Sequence, residues 1–240
     1  MKTWIVLPAL HQAVVLTVAV LIGAGGGLTG CASLLPKPVA APTLYALQAT
    51  LTPAAASSKV ASATLATLAM PPAAATLLVN TPRADAGFDS QHMMYVREPY
   101  KLEYFAHSEW VDTPARMLTP MIVWTVGKAG VFKAVVPSSI AAIGELTLDT
   151  EIVRLQQDFS AKPSRVVFTL RAYLLDTQTR KTIAWRELET VVAATSDDPV
   201  GGVVAANRAV QMALQQVADL CVDAEKQWRA ARPAGTSIAP

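Results

Sequence analysis

Apolar and polar positions alternate in three different ways along this chain. The first thirty residues are apolar with little polar interruption. Short apolar runs follow. Tyr45–Leu51 and Thr76–Asn80 are bounded by prolines and read as strands. Met93–Arg97 and Lys101–Ala106 flank Glu98-Pro99-Tyr100, which predicts two strands joined by a tight bend. Thr113-Pro114 then places an N-cap type of residue before a proline suited to the first helical position. Met117, Leu118, Met121, Ile122 and Trp124 recur at helical spacing, Pro120 is a candidate kink, and Gly127 and Gly130 mark the end.

The second half carries longer periods. Leu146, Leu148, Thr150 and Ile152 alternate with Thr147, Asp149 and Glu151, after which the phase slips so that Val153 and Leu155 become the apolar pair. A bulge near Ile152 accounts for the slip. Val166, Phe168, Leu170, Ala172 and Leu174 form one face of a further strand, and the polar run Asp176–Lys181 turns it into a partner spanning Thr182–Ala194. Such antiparallel strands need one face covered. The cover is a last helix, begun by Asp198-Pro199, with Val203, Val210, Leu214, Val217, Cys221, Ala224 and Trp228 as its apolar stripe. The expected fold is α+β: a mixed, largely antiparallel sheet covered by two main helices, about 113–128 and 199–229, in a single domain.

Composition sharpens this picture. Of 240 residues 52% are hydrophobic and 16% charged, which excludes a wholly disordered chain. The net charge is +2 with no basic run, so there is no nucleic-acid footprint. Two cysteines exclude a disulfide scaffold and a four-thiolate zinc site.

The opening segment reads as a targeting signal. Lys2 is its one charge, the run Ala13–Ile22 is apolar, and Gly23-Ala24-Gly25-Gly26-Gly27 closes it. His11 and Gln12 shorten the run below the roughly 20 residues that cross a bilayer, and the glycines weaken a retained anchor helix. Leu28-Thr29-Gly30-Cys31 resembles the bacterial lipobox, which implies cleavage between Gly30 and Cys31. It further implies a diacylglyceryl thioether on the Cys31 sulfur and a third, palmitate-type acyl chain on its amino group. Each buried CH₂ contributes about 0.8 kcal/mol, and two chains already anchor stably. Ala32 stands where an aspartate would favour inner-membrane retention, which by the same resemblance points to the outer membrane. Cleavage leaves 19 basic and 18 acidic residues, so net charge steers no partner. Residues 31–43, with three prolines, read as the acylated cysteine and a semi-extended tether. Pro53–Ala63, rich in alanine and serine, reads as a loop, and residues 230–240 as a flexible tail.

Candidate chemistry is sparse. His92 and His107 lie far from any HExxH pattern, so no metal site is expected. Ser90, His107 and Asp112 make a triad on paper but lack a glycine-flanked nucleophile elbow. Glu103 and Glu109, beside Tyr104 and Trp110, read as the wet face of a half-buried strand rather than a carboxylate pair. Past the cleavage site there is no GxGxxG and no GxxxxGK[ST], so no cofactor is implied and any ATP is hydrolysed by a partner. Cys221 reads as a small buried apolar residue, since lipid consumes Cys31. Tyr95, Tyr100, Tyr104, Phe105 and Trp110 either pack ordinary strands or line a groove for an apolar ligand or partner.

The order of features from residue 44 to 229 resembles the ABC-type transport auxiliary lipoproteins, the PqiC-like family. The resemblance is carried by Tyr45-Ala46-Leu47, Met94-Tyr95-Val96-Arg97, Tyr104-Phe105 through Trp110 into Pro114–Leu118, Gly130-Val131-Phe132 leading to Val135, and a long helix ending at Trp228. It implies a non-enzymatic outer-membrane lipoprotein whose domain faces the periplasm. Its partners would be an MCE-domain protein and the ATPase and permease of an ABC transporter, moving phospholipids or other hydrophobic solutes between the two membranes. A ring of identical subunits is compatible with it. No catalytic residue follows from it, and Cys31 alone maps to a defined chemical role. The alternative is a structural or assembly lipoprotein that scaffolds an envelope complex without binding lipid.

Overall fold

The computed structural model describes residues 41–48 and 74–231. The signal, the lipobox with Gly30 and Cys31, the Pro53–Ala63 loop and the tail beyond residue 231 lie outside them.

Strand β7 (Leu146–Asp158) organises the sheet. One of its edges pairs antiparallel with β8 (Arg165–Asp176), from Leu146 opposite Asp176 to Asp158 opposite Arg165. Its other edge takes three short parallel strands in series. β2 (Thr76–Val79) lies against Leu146–Leu148, β3 (Arg83–Ala84) against Glu151 and Ile152, and β4 (His92–Val96) against Gln156–Asp158. The sheet then extends from β2 to the parallel β6 (Ala134–Pro137), and from β4 to the antiparallel β5 (Leu102–Trp110). On β5 lies β1 (Thr43–Tyr45), parallel to it, and on the far side β9 (Thr182–Ala193) pairs antiparallel with β8. The nine-stranded sheet is thus mixed, with most paired residues in antiparallel ladders.

The expected phase slip is present. The β7–β8 register shifts between Ile152 and Arg154, leaving Val153 as the extra residue. Leu146, Leu148 and Ile152 face the core before it, and Leu155 and Gln157 after it. A second irregularity was not anticipated. Between the pairs His92–Glu109 and Met94–Tyr104, β5 spends five residues against two on β4. That displacement brings Trp110 into the core although its parity in the strand differs from that of Phe105.

Helix α1 (Pro114–Gly127) starts and stops close to the expected places. Thr113, extended at ψ 141° ahead of proline, makes no side-chain cap bond, however. Pro120 lies inside the element without dividing it. Helix α2 (Pro199–Ala230) lies across β8 and β9. Its stripe is buried at Val210, Leu214, Val217, Cys221 and Ala224, and Ala205, Ala206, Ala209 and Ala213 widen it. These short side chains let the helix come close enough for the Thr190 hydroxyl to donate to the Ala209 carbonyl at 3.0 Å. Both helices share one hydrophobic core with the sheet, and the described residues from Pro42 onward form a single compact α+β unit. No helix among the described residues is long and apolar enough to cross a membrane.

The strand expected at Tyr45–Leu51 is shorter and earlier. Hydrogen bonding to β5 ends at Tyr45, because Ala46 and Gln48 turn to a side chain of α2 instead. β3 and β6, too short to show a period, were not anticipated.

The start of α2 is the tightest joint. Asp198 Oδ1 accepts the Gly201 N–H at 2.8 Å and the Ser196 hydroxyl at 2.9 Å. A Cβ on Gly201 would overlap the Ser196 backbone, whereas one on Gly202 would overlap the Gln157 side-chain amide. Backbone cannot swing aside and an amide can. Gly201→Ala is therefore expected to cost about 1–3 kcal/mol in urea unfolding, and Gly202→Ala clearly less; equal losses would contradict this account.

Candidate functional site

The catalytic constellations drawn on paper do not assemble. The Ser90 hydroxyl accepts the His92 N–H at 3.3 Å, while Asp112 accepts the Thr113 N–H at 2.8 Å and pairs with Arg116 at 3.1 Å. His107 projects from β5 into solvent and joins neither. The two glutamates are likewise engaged separately, Glu103 with Lys101 at 3.7 Å and Glu109 with His92 at 3.8 Å. Among the described residues no group of three His, Cys, Asp or Glu side chains could hold a metal ion. Cys221 is fully buried, and burial pushes its thiol up to about 12, so it is inert as a nucleophile.

The aromatic segment divides between its two readings. Trp110 and Tyr95 are buried. Tyr95, Phe105 and Phe159 form a cluster, with rings 4.5 Å apart for Tyr95–Phe105 and 5.7 Å for Tyr95–Phe159, and the Arg97 guanidinium lies 4.8 Å over Tyr95. Tyr104 stacks on His92 at 4.3 Å yet is half exposed, and Tyr100 is wholly exposed. Strand packing thus accounts for three of the five aromatics, and the other two belong to a surface.

That surface is the sheet face turned away from the helices. By register it carries Leu44, Glu109, His92, Tyr104 and Met94 at the β1 end. Toward β9 it becomes a charged ladder. Arg171 bonds Glu187 at 2.7 Å and Glu151 at 3.4 Å, and Arg154 lies 4.0 Å from Glu189. Beyond the ladder, Trp185 stacks on Tyr173 at 6.1 Å. Exposed ion pairs contribute little to stability, so this ladder keeps the face wet. The end near β1 carries the exposed Tyr104 and Leu44.

Three polar residues on otherwise apolar faces fix how the elements join. Asn207 of α2 accepts the Gln48 N–H at 2.7 Å and donates to the Ala46 carbonyl at 3.3 Å, fastening the chain just after β1. Glu225 is completely buried, with Oε1 held by Arg229 and Oε2 unpartnered. Gln157 donates from Nε2 to Ser164 at 2.9 Å. Trp228, as foreseen, ends the stripe, and its indole N–H donates to Asp176 at 2.8 Å. Asn207 and Glu225 escaped the sequence reading, although both interrupt the 203–210 and 221–228 spacing of the stripe, which was the available signal.

The family profile of the ABC-type transport auxiliary lipoprotein component matches residues 46–218, well over half of the sequence. The chain belongs to that family. Its architecture is similar to the crystal structure of XCC0632 from Xanthomonas campestris, of family DUF330, with a TM-score of 0.61, 19% identity, and coverage of 67% of this chain and 94% of that one. A second solved structure, of an uncharacterized protein, aligns with a TM-score of 0.52 at 12% identity over 60% of this chain and 90% of the other. At these identities the likeness is one of fold. No curated protein matches the sequence. The family comprises auxiliary lipoproteins of ABC transport rather than a class of enzymes.

Two expectations follow. Asn207→Ala removes three hydrogen bonds, two to the Ala46–Gln48 segment and one to the Val203 carbonyl. At about 0.5–1.5 kcal/mol each, the two that hold the segment alone should cost about 1–3 kcal/mol, and the loss should expose the Gln48 amide to hydrogen exchange. The second concerns acid. The Ser164 backbone N–H holds Asp197 below the usual carboxylate range, and the Gly201 N–H, followed by the Ser196 hydroxyl, does the same for Asp198. Burial alone would raise Asp158, but Ser160 and Arg165 outweigh it and lower it. A depressed folded pKa stabilises above the unfolded value of 3.8 and is lost as pH falls through the folded value. Asp198→Asn keeps an acceptor for the cap without the titration. Its stability should therefore fall less than that of the wild type between about pH 5 and pH 3, measured by denaturant midpoints.

Proposed function

We propose that this protein is a non-enzymatic outer-membrane lipoprotein acting as the auxiliary subunit of an ABC/MCE-type system that moves phospholipids or other hydrophobic solutes between inner and outer membranes. One observation carries the reading: a domain of the transport auxiliary family begins its first strand at Thr43, a short tether behind the lipobox cysteine Cys31. At ~3.3–3.6 Å per extended residue, that tether reaches about 40 Å at most. The domain therefore works close to the leaflet that holds its acyl chains, facing the periplasm. In this reading Gly30–Cys31 is the cleavage bond, and residues 44–229 dock the MCE-domain component while partner subunits hydrolyse ATP.

A second reading, a scaffold that never handles lipid, draws on the filled interior. The cleft enclosed by Met93, Phe105, Trp110, Gln157 and Gly202 has room of about 20 Å³, about one water molecule, against 300 Å³ or more for an ordinary small-molecule pocket. The roomier hollows, about 580 Å³ beside Arg116, Trp124 and Pro137 and about 480 Å³ beside Val131, Glu225 and Arg229, are open grooves on the surface, so in the transport reading lipid is met on the surface or on a partner.

Cys31→Ser should abolish acylation and move the protein from the membrane fraction to the soluble one; continued attachment would reject the anchor. Ala32→Asp should shift the protein toward the inner membrane in density gradients. Native mass spectrometry of the detergent-extracted protein separates the two readings, since only a lipid-handling subunit retains phospholipid beyond its covalent chains.

A further inference from the structure

The hairpin joining β4 to β5 is built against its own turn chemistry. The Lys101 N–H donates to the Glu98 carbonyl at 3.3 Å, closing a four-residue turn with Pro99 second and Tyr100 third. Tyr100 adopts φ 67°. Proline followed by a positive φ is a type II arrangement, which calls for glycine or asparagine in the third position. A bulky residue there is strained. Nothing inside the fold offsets that strain, because the Tyr100 side chain is 108% exposed.

Its neighbours continue the same surface. Leu102 is 41% exposed and Tyr104 54% exposed, both on the face turned away from the helices, opposite Val96 and Met94. The nearby charges balance: Arg97 and Lys101 against Glu98 and Glu103. The path of the chain adds a direction. β1 runs parallel to β5, with Thr43 opposite Ser108, so the polypeptide enters Thr43 from the side on which β5 begins, the side of this hairpin. The described chain therefore leads into β1 from the hairpin side, with Thr43 itself opposite Ser108, six positions along β5 from Leu102.

We infer that the Glu98–Leu102 tip is a bilayer contact, in which Tyr100 and Leu102 sit at the boundary between headgroups and acyl chains of the leaflet that holds Cys31. The tyrosine suits that depth, with an apolar ring and a hydroxyl that stays wet. Lys101 can lay its stem along the same boundary and keep its ammonium in water. Balanced charge makes the contact one of apolar area, so it persists at high salt. The inference rests on the lipid anchor proposed above and adds an orientation to it: the hairpin faces the membrane, and the Asp176–Lys181 turn, at the other end of β7, faces away.

Nitroxide labels on the full acylated protein test this, since acylation blocks Cys31 and burial shields Cys221. Labels go at Tyr100→Cys, at Leu102→Cys and, as a control, at the exposed Gln178→Cys, with the protein in phosphatidylethanolamine/phosphatidylglycerol vesicles. Power saturation should show collisions with oxygen exceeding those with an aqueous nickel chelate at 100 and 102, and the reverse at 178, with and without high salt. If the protein floats with the vesicles but 100 and 102 behave like 178, the contact is rejected and the anchor stands. If it does not float, both fall. Shielding of 100 from both reagents marks a protein contact and also overturns the inference. Tyr100→Gly gives a second readout. It should leave Tm unchanged or raised while a label at 102 turns aqueous; a lowered Tm would assign Tyr100 a structural role instead.

Discussion

Everything in this fold leans on the two edges of β7. On one side a continuous antiparallel ladder to β8 supplies a rigid plane; on the other, three brief parallel strands meet it in sequence. None of those three could persist alone, since two to five residues bury too little to offset their ordering. The extra residue at Val153 falls between the stretches that hold β3 and β4. A bulge bends its strand and increases the local twist. Here it also resets which β7 residues face the core, so that Leu155 and Gln157 replace the parity of Ile152. The sheet divides around that point, with one branch running to β6 and the other to β5 and β1.

The ladder β7–β8–β9 and both helices were legible in the sequence because each repeats its period over many residues. The bulge was legible for the same reason: it broke a pattern long enough to be recognised. β3 and β6 are too short to have a period, and the displacement in β5 leaves no trace in a strand of mixed aromatic and polar residues. Capping chemistry was half readable. Asp198 bonds the first turn of α2 as its type suggests, while Thr113, likewise followed by proline, makes no side-chain bond to the first turn of α1. The surface end of the aromatic segment could be seen as a cluster, but only the register divided it into core and exposed members.

The polar residues at the helix–sheet junction have a common logic. Asn207 satisfies two backbone groups of a segment that has left its sheet, and in doing so binds the start of the domain to its last helix. That is why the Tyr45-Ala46-Leu47 motif recognisable in the sequence is backed by a helix more than 150 positions away. Glu225 serves less completely, because Arg229 reaches one carboxylate oxygen and leaves the other bare. A buried pair of this kind contributes little net stability.

The far edge of the sheet carries a safeguard. β9 offers twelve residues of which, among the described residues, only one edge is hydrogen-bonded, and such strands invite a second copy to dock alongside. Antiparallel docking centred on Leu188 would set Glu187 against Glu189; centred on Glu187 it would face that carboxylate with itself, and centred on Arg186 it would oppose two guanidinium groups. These three central alignments each meet like charge. Under the lipid anchor proposed above, which would confine copies to two dimensions, such like-charge contacts oppose edge-to-edge pairing through β9.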